Sequence, residues 1–337
     1  MLDLKFFVAV LALLAVASLA HGAERRVVVQ DATGREVELR TPIKRVVALN
    51  TDGIEVLRIL GCVHLVVGTS SLAQKEPEFF PEIQGLPNVG KWNDPDAEAI
   101  VALRPDLVLC YGHSPGRTLE TKVGGLGIQI LRMDCYRPST ILDEVWALAR
   151  VFGRESAARD YMDWARERKE AVRQCVERSG EQAVAYMEAY SDYKASGPGT
   201  AMDELCELAG GVNIARATGL QNAEVTTEWV LSCAPEVVVK AGSLKRAYGA
   251  TSPEEIGGIH ARMLARPGWE TMPAAKNGRV HVLAAAIGPG PRAAVGLTYM
   301  ATWFHPKACA DLNPEAVHRE YLERFQGLPL QGHHVYP

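Results

Sequence analysis

The feature that most constrains this chain is a segment that occurs twice. Glu98-Ala-Ile-Val-Ala-Leu-Arg-Pro-Asp-Leu-Val-Leu109 has a counterpart 130 residues later, Glu228-Trp-Val-Leu-Ser-Cys-Ala-Pro-Glu-Val-Val-Val239. In each, a glutamate stands seven residues before a proline, an acid follows the proline, and an apolar triplet follows the acid. Proline ends a helix, and an unbroken apolar run suits a strand covered on both faces. Each copy therefore predicts a short helix, a break and a buried parallel strand. A duplication at this spacing points to two similar α/β lobes.

The flanking sequence alternates in the same way. Arg45-Val-Val-Ala-Leu-Asn50 reads as strand and Ile54 to Leu60 as helix, stopping at Gly61. Leu65 to Gly68 and Ile128 to Met133 read as further strands, the latter after the turn Gly124-Gly125. Such alternation predicts open parallel sheets and not a sandwich. Ahead of them, Val27 to Leu39 has a turn, Asp31-Ala-Thr-Gly34, between two alternating segments, which predicts a β-hairpin prefix. From Glu155 to Arg178 apolar residues recur at Ala158, Tyr161, Met162, Ala165, Val172 and Val176, with charge on the other faces, and Ser179-Gly180 stops the pattern. At 1.5 Å per residue this helix is a rod of roughly 36 Å, long enough to run beside two lobes and join them. It lacks the Gly, Ser and Pro of a flexible linker, so only modest opening is expected. The expected fold class is α/β: two open parallel-sheet lobes, residues 24–150 and 181–337, joined by one long rigid α-helix within 151–180.

The first 23 residues read as an export signal, with Lys5 ahead of an essentially apolar run, Phe6 to Leu19, and small residues at Ala20, Gly22 and Ala23. The first cysteine is Cys62, so a lipid-anchored product is not expected; a soluble periplasmic protein is. The net charge of −4, without a basic block, excludes nucleic acid as the expected partner. Seven cysteines are scattered with no C-x-x-C pair, which reads as mostly small buried hydrophobes and neither a disulfide framework nor a zinc site.

Two motifs suggest enzymes and fail on chemistry. Gly112-His-Ser-Pro-Gly116 has the form of a hydrolase nucleophile elbow, but the residue after the serine must donate an N–H to the oxyanion, and Pro115 has none. Ser114 reads instead as a loop residue at the carboxyl edge of a sheet, where ligands bind in open α/β folds. Gly288-Pro-Gly-Pro-Arg-Ala293 matches a dinucleotide fingerprint, yet its prolines remove amides that a phosphate would need. It reads as a turn into the helix Ala294 to Phe304, with Arg292 projecting toward a cleft to hold an anionic ligand. The histidines show no metal-ligand spacing apart from the terminal His333-His334. A metal site assembled from distant His and carboxylates stays open.

Several segments resemble the helical-backbone (class III) periplasmic binding proteins that serve ferric-siderophore, haem and cobalamin importers. They are Asp31-Ala-Thr-Gly-Arg-Glu-Val37, Ile43-Lys-Arg-Val-Val-Ala-Leu49, Glu98 through Val108, Ala209-Gly-Gly-Val-Asn-Ile214, the second repeat copy, Arg266-Pro-Gly-Trp269, and Asn277-Gly-Arg-Val-His-Val-Leu283. The resemblance implies a ligand clamped between the lobes, no cofactor and no catalysis. It implies a metal chelate as ligand: a ferric siderophore first, haem or cobalamin as alternatives. It implies an ABC importer permease dimer as partner, onto whose arginines Glu98 and Glu228 would dock, one per lobe. The repeat supports that pairing independently, because two equivalent acids suit a two-fold partner. A monomer is expected. The competing classes are a receptor for free divalent metal ions and a chelatase-like or hydrolytic enzyme on a two-lobed scaffold.

The ligand site should then form from loops at the strand ends that face the cleft. The candidates are Asn50, Thr51, Ser70, Trp92, Tyr111, His113 and Tyr136 on the first lobe. On the second they are Tyr190, Tyr193, Lys194, Lys240 and Arg292. Aromatic rings suit a planar ligand by stacking, and Lys or Arg suits its anionic groups.

Overall fold

The structure is a computed structural model that describes residues 24–242, 248, 252–284 and 287–336. The expected export signal, residues 1–23, lies outside them. None of the described helices is long and apolar enough to cross a membrane.

The hairpin forms as the sequence predicts. Strands β1 (Arg25–Gln30) and β2 (Glu36–Thr41) pair antiparallel. Asp31 shapes the turn, its Oδ1 accepting from the N–H groups of Thr33 and Arg35 at 2.9 and 3.1 Å.

The first lobe holds β3 (Val46–Ala48), β4 (Val66–Thr69), the short antiparallel pair β5 (Gly90–Lys91) and β6 (Asp94–Pro95), β7 (Leu107–Cys110) and β8 (Gln129–Arg132). Its sheet runs β4-β3-β7-β8, every pairing parallel. In the second lobe are β9 (Ala183–Glu188), β10 (Lys194–Ser196), β11 (Gly211–Asn213), β12 (Asn222–Glu224), β13 (Val237–Gly242), β14 (Val280–Ala284) and β15 (Val335–Tyr336). There β11, β13 and β14 continue β9 in the same parallel arrangement, β11 on one side and β13-β14 on the other. The lobes therefore share one four-strand plan. The second departs from an all-parallel sheet by adding β10, β12 and β15 antiparallel at its margins.

The repeat is the centre of this shared plan. Helix Ala97–Ala102 is N-capped by Asp96, and helix Thr227–Cys233 by Thr226, so both glutamates fall at the second helical position. Ile100 and Val230, two residues further on, are each fully buried. Arg104 and Ala234, the residues before the prolines, both take positive φ, 46° and 47°. The acids after the prolines tie the strands together. The carboxylate of Asp106 accepts from the N–H groups of Lys44 and Arg45, and that of Glu236 from the N–H of Val184.

The connecting helix spans Glu155–Ser179 and ends at Gly180, whose φ of 66° is the left-handed cap that glycine takes without strain. Its buried face is Ala158, Tyr161, Met162, Trp164, Val172 and Cys175. The largest hydrophobic cluster runs from the first-lobe sheet through this helix into the second lobe. Cys175 forms a disulfide with Cys309, whereas the other five cysteines are free, four of them buried. The expectation of unpaired buried cysteines is thus corrected at one pair. The chain's last part crosses back: Tyr321 donates to Glu55 Oε1, and Gln326 Oε1 accepts from Arg58 at 2.9 Å. Residues 314–326 accordingly pack on the first lobe, although they follow the second in sequence.

Candidate functional site

The carboxyl ends of β3, β7 and β8 open into a cavity of about 670 Å³ between the lobes. The second lobe closes it with Tyr190, after β9, and with Pro289 and Arg292, after β14. Open α/β sheets bind ligands at this edge because strands end there and loops diverge.

Its first-lobe wall is aromatic. The rings of Trp92 and Tyr111 meet edge to face at 5.5 Å, and those of Tyr111 and Tyr136 at 6.0 Å. Tyr136 follows Cys135, whose φ of 55° is held by a 2.6 Å bond from its N–H to Glu144 Oε2. Phe79 and Phe80 supply a second aromatic edge. Two guanidinium groups stand over the Phe79 ring, Arg58 at 5.2 Å and Arg292 at 5.3 Å from its centre.

Beneath the rings lies a charged floor. Tyr111 donates to Asp52 Oδ2 at 2.8 Å, and Arg292 reaches Glu55 Oε2 at 2.5 Å and Asp52 Oδ1 at 3.9 Å. Burial pushes the carboxyls of both Asp52 and Glu55 above their usual range, and Arg292 opposes that rise. Burial works against the Arg292 cation too, but Glu55, Tyr321, Asp52 and Tyr190 together outweigh it and the guanidinium is held above its usual value. The turn bearing Arg292 is fixed from the first lobe and from the connecting helix. Gly290 donates its N–H to Tyr136 O at 3.0 Å, and Tyr161 Oη donates to Pro291 O at 2.5 Å. Gly290 is at φ 97°, and a Cβ there would stand 2.7 Å from Asp52 Oδ1. Glycine is what lets this turn approach so closely.

Seven of the twelve candidate ligand residues line this cavity: Thr51, Trp92, Tyr111, His113, Tyr136, Tyr190 and Arg292. Lys194 lines a smaller adjoining cavity. The other four lie outside both, each with a polar group bound within the protein. Asn50 is fully buried and donates to Met133 O, and buried Ser70 donates to Leu49 O. Tyr193 stacks beneath Arg266 at 4.4 Å and accepts from Thr227. Lys240 is bound to Glu188 at 2.6 Å and Asp192 at 3.0 Å. Arg292 lines the cavity while its guanidinium is also paired with Glu55. Ser114 lines the cavity, as its place at the sheet edge implied.

Sequence reasoning missed Leu72, Glu76, Phe79, Phe80, Asp134 and Pro289 as lining residues. A signal existed in Glu76-Pro-Glu-Phe-Phe-Pro81, where two adjacent aromatics sit between prolines in an otherwise polar loop. Among the described residues, no group of three or more His, Cys, Asp or Glu side chains converges in the manner of a metal site. Glu98 and Glu228 lie away from the cavity, exposed at the starts of their helices.

The chain belongs to the periplasmic binding protein family: the family model matches residues 46–286. The family works with ABC transporters and binds small ligands. A vitamin B12-binding protein of Yersinia pestis is 26% identical over 202 residues, which is 59% of this chain and 70% of that protein. A TroA-like periplasmic binding protein, FepB, from Veillonella parvula superposes with a TM-score of 0.76 at 20% identity, over 92% of this chain and 99% of that one. The molybdate-bound MolA of Haemophilus influenzae gives 0.75 at 20% identity, over 90% and 99%. At that identity the two structures speak to the fold, which is the two-lobed one.

Proposed function

We propose that this chain is an exported receptor that captures an intact metal chelate between its lobes and delivers it to an ABC importer. The observation that carries the reading is the aromatic cavity of about 670 Å³ walled by both lobes. That volume is in the range of sites for drug-sized ligands, on the order of 300–1,000 Å³. A bare ion of water-like size needs only about 30 Å³. Rings meeting edge to face offer their π-faces and edges to a flat or aromatic ligand, and a preformed floor of Asp52, Glu55 and Arg292 fixes its depth. The B12-binding relative supports a chelate of this kind. Ferric siderophores, haem and corrinoids are the candidates to test.

Delivery is proposed to run through Glu98 and Glu228, each docking on one half of a permease dimer. Support comes from their equivalence: both occupy the second position of a capped helix, and both are exposed. The receptor would work as a monomer. Export would depend on residues 1–23.

Tryptophan fluorescence and thermal melts with ferric siderophores, hemin, cyanocobalamin and free divalent cations test the ligand reading. Stabilisation by one or more chelates is expected; a response confined to Zn²⁺ or Mn²⁺ rejects it. Exchanging Glu98 and Glu228 together for Arg is expected to abolish uptake in cells and leave chelate affinity unchanged. Uptake that survives the exchange rejects docking through these acids.

A further inference from the structure

A second cavity, of about 240 Å³, adjoins the first, and Tyr190 and Pro289 line both. The two spaces are therefore neighbouring compartments of one cleft. At roughly 30 Å³ per water, the smaller one has room for a short side arm and none for a second chelate. Its chemistry differs from that of the aromatic compartment. Lys194, Ser196, Thr200 and Asn222 line it, against apolar residues such as Met202 and Leu283.

Two of these side chains have unmet bonding capacity. Ser196 is only 4% exposed, and its hydroxyl makes no hydrogen bond among the described residues. Lys194 is half-buried on β10 and has no carboxylate within 4.0 Å among the described residues. Its register partner across the ladder is Glu224, and Ser196 stands opposite Asn222. The alternation of the strand puts Lys194 and Ser196 on one face, so ammonium and hydroxyl address the same space. By contrast, Arg292 in the main cavity is already neutralised by Glu55. Among the described residues that line the two compartments, Lys194 is the cation without a paired carboxylate that an entering anionic group would meet.

We propose that this side compartment is a subsite for a carboxylate-bearing arm of the chelate, held by the Lys194 ammonium with Ser196 and Asn222 as neutral donors. One ammonium with neutral donors suits a monoanion, whereas a phosphate dianion calls for more positive charge or a guanidinium fork. The inference rests on the chelate-receptor reading and adds to it the chemistry of one end of the ligand.

The test compares each chelate as free acid and as methyl ester, using hemin with hemin dimethyl ester and cobyrinic acid with its heptamethyl ester. Affinities are measured by fluorescence titration on wild type, Lys194→Met and Lys194→Arg. For the chelate that binds, wild type should prefer the acid by about tenfold or more, the scale of one charge-assisted hydrogen bond. Lys194→Met should lose that preference while keeping its ester affinity, and Lys194→Arg should retain it. A chelate bound equally well as acid and ester, with no effect of Lys194→Met, overturns the subsite and leaves the receptor reading standing. Binding of no chelate by the wild type, ferric siderophores included, overturns both. Circular dichroism of Lys194→Met checks the fold, and should that variant misfold, the wild-type acid-to-ester ratio decides alone.

Discussion

At the scale of single residues, the cleft floor is a packed arrangement of charge. Glu55 is fully buried, bonded by Tyr321 and paired with Arg292. A composition or a motif does not reveal such a pairing, because its members come from positions 55, 292 and 321 and meet only in the fold. The sequence singled out Arg292 as a cleft residue, and the structure adds an internal carboxylate, Glu55, as its partner. The pairing has a consequence for stability. Replacing Arg292 by Met leaves a buried carboxylate unpaired, which should cost about 3–5 kcal/mol at neutral pH. The sign of its pH dependence follows from burial. Burial holds the Glu55 carboxyl above its ordinary 4.5, so its contribution to folding is most favourable below 4.5 and worsens as pH rises through the folded value. Without the arginine that rise is larger. Thermal melts should therefore show the greatest gap between Arg292→Met and wild type at neutral pH, narrowing as pH falls toward 4.5; a gap independent of pH would contradict this account.

At the scale of elements, helices and strands were legible where periodicity or punctuation marked them. The connecting helix, expected from Glu155 to Arg178, runs to Ser179, and both repeat copies form the helix, break and strand that their prolines imply. Less legible was the stretch from residue 70 to 90, which holds Phe79 and Phe80. It forms short 3-10 turns, Ala73–Lys75 and Pro81–Ile83, that have no periodicity long enough to read. The disulfide was hidden for another reason. Cys175 lies on the buried face of the connecting helix and Cys309 beyond the helix Ala293–Phe304, 134 residues away, so only packing of those two elements brings them together. Closing so long a loop restricts the unfolded chain, and replacing both cysteines by Ser should lower stability by about 2–4 kcal/mol. Urea unfolding measures this directly. Dithiothreitol should produce the same loss in wild type and none in the double variant, because the remaining five cysteines are free.

At the scale of the whole molecule, the two lobes are one mechanical unit. The largest hydrophobic cluster passes through both, the residues 314–326 return to the first lobe, and the Gly290 amide bonds across to Tyr136. The repeat made the two lobes readable in advance, but their coupling was not, since it depends on contacts between segments that share no pattern. Coupling of this kind predicts small opening and, on the receptor reading, would tie ligand retention to the stiffness of the connecting helix. Lys169 tests that link because it is exposed near the middle of the helix, so its side chain holds nothing in the core. Lys169→Pro removes one backbone hydrogen bond and clashes with the preceding turn, a change of about 3 kcal/mol. Calorimetry should show one cooperative transition for wild type and two for the proline variant, as the lobes lose their common rod. Release of bound chelate, followed by stopped-flow fluorescence, should be faster in the same variant, while Lys169→Ala behaves as wild type in both measurements. A proline variant that still melts in one step and releases ligand at the wild-type rate would mean that the shared core alone couples the lobes and that the helix merely spans them.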